Sequence, residues 1–181
     1  MSSSLPPASL DISPPTPVFY PATKFAPSGG ASLTACYSGL CAPVGSKLTH
    51  LAPNGTASIV IASGVVEGGR VIIDKTKTVK KYVDVYFCNN DIAFSTSWGM
   101  GTNTRNMTLT VNSVTTRVEL PLSGKSSELF SQGKGWQDTG IFGVLLDGWI
   151  DGENKVVVGN AYGDQGLVTY GADLVGLGVY W

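Results

Sequence analysis

Residues 105–121, RNMTLTVNSVTTRVELP, indicate the fold class of the chain. β-branched residues lie on both sides of Asn112 and Ser113. In these stretches apolar residues alternate with polar ones with a period of two, as in a strand with one buried face. Asn and Ser are frequent in short turns. We therefore predict two antiparallel strands joined at Asn112 and Ser113, a β-hairpin.

Similar short segments recur on both sides of this hairpin, and no helical period accompanies them. In YVDVYFC we expect Val83, Val85 and Phe87 to face one side of a strand, with Tyr82, Asp84 and Tyr86 on the other. The further candidate strands are PVFYP, KLTHL, ASIVIAS, RVIID, AFSTS, IFGVLL, NKVVVGN and LVGLGVYW. About ten strands predict an all-β chain, a β-sandwich of the jelly-roll type. The long loops 89–103 and 123–140 are where binding residues are expected on such a scaffold.

Composition predicts one domain with a tail. The chain has 181 residues, of which 43% are hydrophobic and 14% charged, a size and composition suited to one all-β domain. Residues 1–17 are rich in Pro and Ser and read as a linker or tail, so we place the domain at 18–181. A linker at the start suggests an upstream domain.

Charge and hydropathy argue against two classes of partner. The net charge of −1 provides no basic field for nucleic acid. No run approaches the roughly 18 apolar residues that span a bilayer. The first 17 residues also lack the basic and apolar regions of a signal peptide, so export would depend on a signal not present in this chain.

The cysteines suggest an oxidising compartment. Cys36 and Cys41 flank Tyr-Ser-Gly-Leu, a spacing that is not the CxxC of redox sites, and the chain has too few Cys and His for a clustered zinc site. A local disulfide or two free thiols remain, and we expect the disulfide. Cys88 ends an apolar segment, which predicts a buried, unpaired thiol. The glycosylation sequons at Asn54 and Asn106 agree with secretion.

The stretch SGGASLTACYSGLCAPVGSKLTHLAPNGTASIVI resembles the opening of fungal family-35 carbohydrate-binding modules, which are similar to family 6 modules. The segments YVDVYFCNND, RNMTLTVNS, VELPLSG, GWQDTG, DGENKVVVGN and GADLVGLGV follow in the family's order. The likeness covers residues 19–181. It implies a galactose-binding-domain-like jelly roll without catalytic activity.

The resemblance also implies where sugar binds. A sugar packs its C–H face on an aromatic ring, and its hydroxyls need fixed donors and acceptors. The residues of these types at the expected strand ends and loops are Asn89, Asn90, Asp91, Trp98, Arg105, Trp136, Asn160, Tyr162 and Asp164. Structural roles without sugar contact also stay open: the asparagines as turn residues, Arg105 in a surface ion pair, and Trp136 as a lid on the sandwich edge. Trp149 is expected to cover a turn and Trp181 to pack at the core or edge.

A structural calcium belongs to the resemblance, but the sequence departs from the pattern. The family's opening strand carries carboxylates that hold calcium against an acidic C-terminal strand. Here the matching stretch FYPATKFAPSGGA has no acid, and Val175 stands where a second Asp is expected beside Asp173. Because calcium takes six to eight oxygen ligands, we expect none there, with Asp173 the single candidate ligand.

The sequence thus predicts a secreted, non-catalytic module that holds an attached glycoside hydrolase on a polysaccharide or glycan. Galactose-containing ligands are expected first, then uronic acids or mannan. Catalysis would need a pair of carboxylates across a cleft, and no pair is singled out; the single His50, in a predicted strand, supports no Ser/His/Asp triad. The alternatives are a structural β-sandwich packed on a catalytic domain and a free-standing lectin.

Overall fold

A computed structural model describes residues 16–52, 54–63, 78–89, 104–123, 137–160 and 170–181. These residues form strands and one turn of 3-10 helix, Ala22–Lys24. The strands are β1 (Val18–Pro21), β2 (Ala26–Ser28), β3 (Ser32–Ala35), β4 (Ser46–Thr49), β5 (Thr56–Ala62), β6 (Val79–Cys88), β7 (Arg105–Val111), β8 (Val114–Leu120), β9 (Gly140–Trp149), β10 (Glu153–Gly159) and β11 (Asp173–Val179).

The strands build two antiparallel sheets that face each other. Sheet A has the order β3-β4-β11-β6-β9, with β1 also paired to β11, and sheet B has the order β2-β5-β10-β7-β8. Strands far apart in sequence are neighbours within one sheet, as β6 and β11 are in sheet A, which is typical of a jelly roll. The predicted all-β sandwich of the jelly-roll type is confirmed.

The predicted hairpin is present as β7 and β8. Val111 pairs with Val114, which leaves Asn112 and Ser113 as the turn, and Asn112 has a φ of 55°, a conformation that Asn tolerates better than most residues. The Asn112 amide donates to the Gly148 carbonyl at 2.8 Å and to Asn154 Oδ1 at 3.0 Å. The hairpin turn is therefore attached to the end of β9 and the start of β10.

The core lies between the sheets and follows the predicted alternation. On β6, Val83, Val85 and Phe87 are buried, whereas Tyr82 on the opposite face is half exposed. The fully buried Trp149 packs edge-on against Trp181, with ring centroids 5.4 Å apart. The expectation that Trp149 covers a turn is wrong, because Trp149 ends β9 with its indole in the core.

Other departures from the sequence prediction are local. β2 and β3 were not predicted, because they are three and four residues long and β2 contains a proline. His50 lies just after β4 with a φ of 59°, so it is not in a strand. RVIID, AFSTS and most of the predicted tail 1–17 lie outside the described residues, and these predictions stay untested.

Candidate functional site

The candidate site is one end of the sandwich, which we call the loop end. In sheet A the end of β6 lies opposite the start of β11, with Cys88 paired to Asp173. In sheet B the start of β7 lies opposite the end of β8, with Arg105 paired to Leu120. Hydrogen bonds from Asn89 to β8, and from the Ala172 N–H to the Asn106 carbonyl, join the two sheets at this end.

Three segments of the sequence carry most of the predicted sugar-binding residues. The described residues directly before and after each segment lie at the loop end. Segment 90–103 joins β6 to β7, segment 124–136 lies between β8 and β9, and segment 161–169 lies between β10 and β11. Six predicted residues lie in these segments, outside the described residues: Asn90, Asp91, Trp98, Trp136, Tyr162 and Asp164. Their roles stay predictions.

Asn89 supports the loop end from inside. Its side chain is fully buried, and its amide donates to the carbonyls of Leu120 at 2.9 Å and Pro121 at 3.2 Å. The Asn89 backbone N–H donates to Ser123 Oγ at 2.8 Å, and that hydroxyl also lies 2.8 Å from the Asp138 carbonyl. Asn89 therefore joins the ends of β6 and β8 to the start of β9, which is a positioning role.

Arg105 and Asn160 also lie beneath the surface of the loop end. Arg105 is 8% exposed and Asn160 is 6% exposed. Arg105 Nη1 donates to the Tyr170 carbonyl at 2.6 Å, which fixes the residues that lead into β11. The sequence left open an ion pair of Arg105 or a contact with sugar, and both stay predictions.

The structure adds two aromatic residues that the sequence analysis did not single out as site residues. The rings of His50 and Tyr170 meet edge-on with centroids 5.0 Å apart, and both residues are exposed at the loop end. The His50 ring is held by hydrogen bonds of Nδ1 with Ser32 Oγ and Thr49 Oγ1. Nothing in the local pattern predicts this pair, because His50 and Tyr170 meet only through the pairing of β4 with β11.

A buried ion pair lies where the resemblance implies calcium. Lys47 Nζ is 2.7 Å from Asp173 Oδ2, and the two residues are 6% and 8% exposed. Burial raises the pKa of the Asp173 carboxyl above its usual value, while the Lys47 ammonium acts against this rise. The described residues contain no group of three His, Cys, Asp or Glu that could hold a metal ion. An ammonium in contact with the single candidate carboxylate repels a cation, so the described residues around Asp173 do not fit calcium.

The predicted disulfide is confirmed between Cys36 and Cys41, whose Cα atoms are 6.1 Å apart. The loop it closes packs on the outer face of sheet A, where Cys41, Cys88 and Val175 are buried together. The Cys41 N–H donates to the Gln137 carbonyl at 2.7 Å. The disulfide loop is thereby fixed to the residues that lead into β9 at the loop end.

We expect Cys88 to resist alkylation in the native protein. Burial raises the pKa of its thiol to about 12, so the reactive thiolate is scarce at pH 8. Iodoacetamide followed by mass spectrometry checks this: Cys88 should stay unmodified in buffer and be modified in denaturant. Rapid labelling of the folded protein would contradict the buried position.

The two sequons differ in their surroundings. Asn54 is exposed in the turn before β5. Asn106 lies on β7, where its Oδ1 accepts a hydrogen bond from Arg117 Nε. Glycosylation at either position stays a prediction, and Asn54 is the more accessible acceptor.

Curated relatives of the chain are fungal proteins. The chain is 46% identical over 180 residues to a probable α-galactosidase D of Aspergillus niger, which covers 99% of the chain and 26% of the relative. It is 40% identical over 175 residues to the α-galactosidase D of Emericella nidulans, which covers 96% of the chain and 25% of the relative. The chain thus spans about a quarter of the length of the curated relatives it matches. A comparison with protein-family models finds no match.

Solved structures share the fold. A family 35 carbohydrate-binding module from Clostridium thermocellum aligns with a TM-score of 0.62 at 12% identity, covering 91% of this chain and 98% of that one. An exo-β-1,3-galactanase from Phanerochaete chrysosporium, solved with β-1,3-galactotriose, aligns with a TM-score of 0.61 at 22% identity, covering 91% of this chain and 29% of that one. The jelly roll of family 35 modules is therefore the fold of this chain. In the described residues, no helix is long and apolar enough to cross a membrane.

Proposed function

We propose that the chain is a non-catalytic carbohydrate-binding module of the fungal family-35 type. It holds an attached glycoside hydrolase, of the α-galactosidase kind, on a galactose-containing polysaccharide or glycan outside the cell. The ligand is bound at the loop end, by residues of the segments 90–103, 124–136 and 161–169 together with His50 and Tyr170.

One observation carries this proposal. The described residues before and after each of the three segments lie at the loop end. Asn89 and Arg105 are buried beneath it and hold strand ends of both sheets, so the loops start from a rigid base. Binding residues on loops above a rigid scaffold are the usual arrangement in β-sandwiches. The names of the fungal relatives, and the galactotriose in the galactanase structure, support a galactose-containing ligand.

Two further features support an accessory role. The chain spans only about a quarter of each of these relatives, which leaves most of their length for a catalytic domain. The Cys36–Cys41 disulfide fits an oxidising, extracellular setting. The sandwich needs no calcium in this proposal, because the Lys47 ammonium already balances Asp173.

Replacing Trp136 with Ala tests the loop-end site. Loss of a stacking ring should weaken binding of galactose-containing oligosaccharides about tenfold, on the order of 1.4 kcal/mol, as measured by isothermal titration calorimetry. Val60→Ala is the control, because Val60 is 60% exposed on sheet B and should leave binding unchanged.

The outcome also separates the alternatives. If the wild-type protein binds no member of a glycan array, the structural sandwich packed on a catalytic domain is favoured. If gel filtration gives a mass well above the 18.9 kDa of one chain, the free-standing lectin is favoured. Turnover of chromogenic glycosides by this chain would contradict the non-catalytic assignment.

A further inference from the structure

The outer face of sheet A carries a group of exposed and half-buried side chains. On β6, Tyr82, Asp84 and Tyr86 point away from the core. Their partners on β9 are Leu145, Gly143 and Ile141, of which Leu145 is 54% exposed and Ile141 is 61% exposed. We call this surface the tyrosine face, and it consists of Tyr82, Asp84, Tyr86, Ile141, Leu145 and Tyr180.

Gly143 has no side chain and so leaves room for the Tyr82 ring against the sheet. A Cβ atom at Gly143 would be 1.9 Å from Tyr82 Oη and 2.7 Å from Tyr82 Cζ, so the hydroxyl end of the ring occupies the space where a side chain would stand. The Tyr180 ring meets Tyr82 edge-on with centroids 5.6 Å apart. Tyr82 is nevertheless 49% exposed, so a large part of the ring is open to solvent.

Asp84 lies between two glycines in the middle of this face. Its partners in the adjacent strands are Gly143 on β9, which the Tyr82 ring covers, and Gly178 on β11, which Pro17 and Tyr86 cover. The Tyr180 hydroxyl donates to Asp84 Oδ2 at 2.8 Å. In the part of the chain that the structure describes, this is the one hydrogen bond of the Asp84 side chain, which leaves Oδ1 as an acceptor.

An open aromatic ring beside a carboxylate acceptor matches the chemistry of a neutral sugar. The C–H face of a pyranose packs on an aromatic surface, and its hydroxyls donate strong, charge-assisted hydrogen bonds to a carboxylate. An anionic sugar would be repelled by Asp84. A dry protein interface fits less well, because the cores of such interfaces are depleted of charged residues.

We propose that the tyrosine face is a second carbohydrate-binding surface, which takes neutral sugars of a polysaccharide. Tyr82 stacks on one sugar ring, and Asp84 accepts hydrogen bonds from hydroxyls of that ring or its neighbour. Asp84 is five residues before Asn89, so along β6 it lies about 17 Å from that loop-end residue. The proposal depends on contacts within sheet A and not on the loop-end site.

Affinity gel electrophoresis with galactomannan tests the proposal, with polygalacturonate as the anionic counterpart. We expect Tyr82→Ala to weaken binding to galactomannan about tenfold and Asp84→Asn to weaken it several-fold. Tyr82→Phe keeps the ring and should retain most of the binding. Val60→Ala on the opposite sheet should bind as the wild type does.

The two surfaces are told apart by combining variants. In a Trp136→Ala protein the tyrosine face should still retard the protein in galactomannan, and adding Tyr82→Ala should abolish this residual retardation. Unchanged thermal unfolding of Tyr82→Ala would show that the fold is intact. Wild-type retardation of both Tyr82→Ala and Asp84→Asn would overturn the proposal. A dimer in gel filtration that Leu145→Glu dissociates would also overturn it, because the face would then be an interface between copies of the chain.

Discussion

Replacing Lys47 with Met lowers the midpoint of thermal unfolding by roughly 6–20 °C, because it leaves the Asp173 carboxylate buried without its partner. Breaking one side of a buried ion pair costs about 3–5 kcal/mol, and each kcal/mol shifts the midpoint by roughly 2–4 °C in a protein of this size. The ammonium and the carboxylate oxygen are 2.7 Å apart, and both residues are more than nine-tenths buried. Differential scanning calorimetry measures the shift.

A second substitution identifies the cause. In the double variant Lys47→Met with Asp173→Asn, the buried charge is gone, so most of the lost stability should return. A chelator or added calcium should leave the wild-type midpoint unchanged, since Lys47 already neutralises Asp173. A lower midpoint in chelator would contradict this account of the site. An unchanged midpoint for Lys47→Met alone would show that the ion pair contributes little.

Replacing Trp149 with Ala should cost about 3–5 kcal/mol of the free energy of unfolding, the range seen when a large buried aromatic is truncated. Trp149 is fully buried in the core and packs edge-on against Trp181. Its removal leaves a cavity at the end of β9 that the surrounding sheets close only in part. Urea denaturation followed by circular dichroism measures the loss.

Trp149→Phe is the matched control. Among the residues that the structure describes, the Trp149 indole N–H has no hydrogen-bond acceptor, so replacing the indole with a phenyl ring breaks no hydrogen bond. We expect Phe to cost roughly half as much as Ala or less, through the smaller ring volume alone. Equal losses for the two variants would mean that an unseen partner of the N–H, rather than packing, dominates at this position.

These predictions concern the framework on which the proposed sugar sites depend. The loop-end residues Asn89 and Arg105 are themselves buried, so in the proposed site they act by holding the strand ends in place. Variants at these two positions should therefore change stability together with affinity. Trp136 and Tyr82 are better probes of recognition, because Tyr82 is half exposed and Trp136 is expected to be a ligand contact.

Local patterns were enough to predict most of the described strands and the buried face of β6. The alternation around Asn112 and Ser113 predicted the hairpin, and the same period placed Val83 and Phe87 in the core. Cys36 and Cys41 are only five residues apart in sequence, so their disulfide was expected from this short spacing. Each of these features depends on neighbours in sequence, so the period of a strand or the length of a short loop is sufficient to predict it.

The surroundings of the described polar residues were decided only by the tertiary structure. Asn89 reads equally well as a sugar ligand or a turn residue until its amide is seen bonded to the end of β8. Lys47 and Asp173 become partners only when β4 and β11 lie side by side in sheet A. The physical reason is that burial and pairing of a polar group depend on strand order and register between distant segments, which a period of two along one strand does not encode.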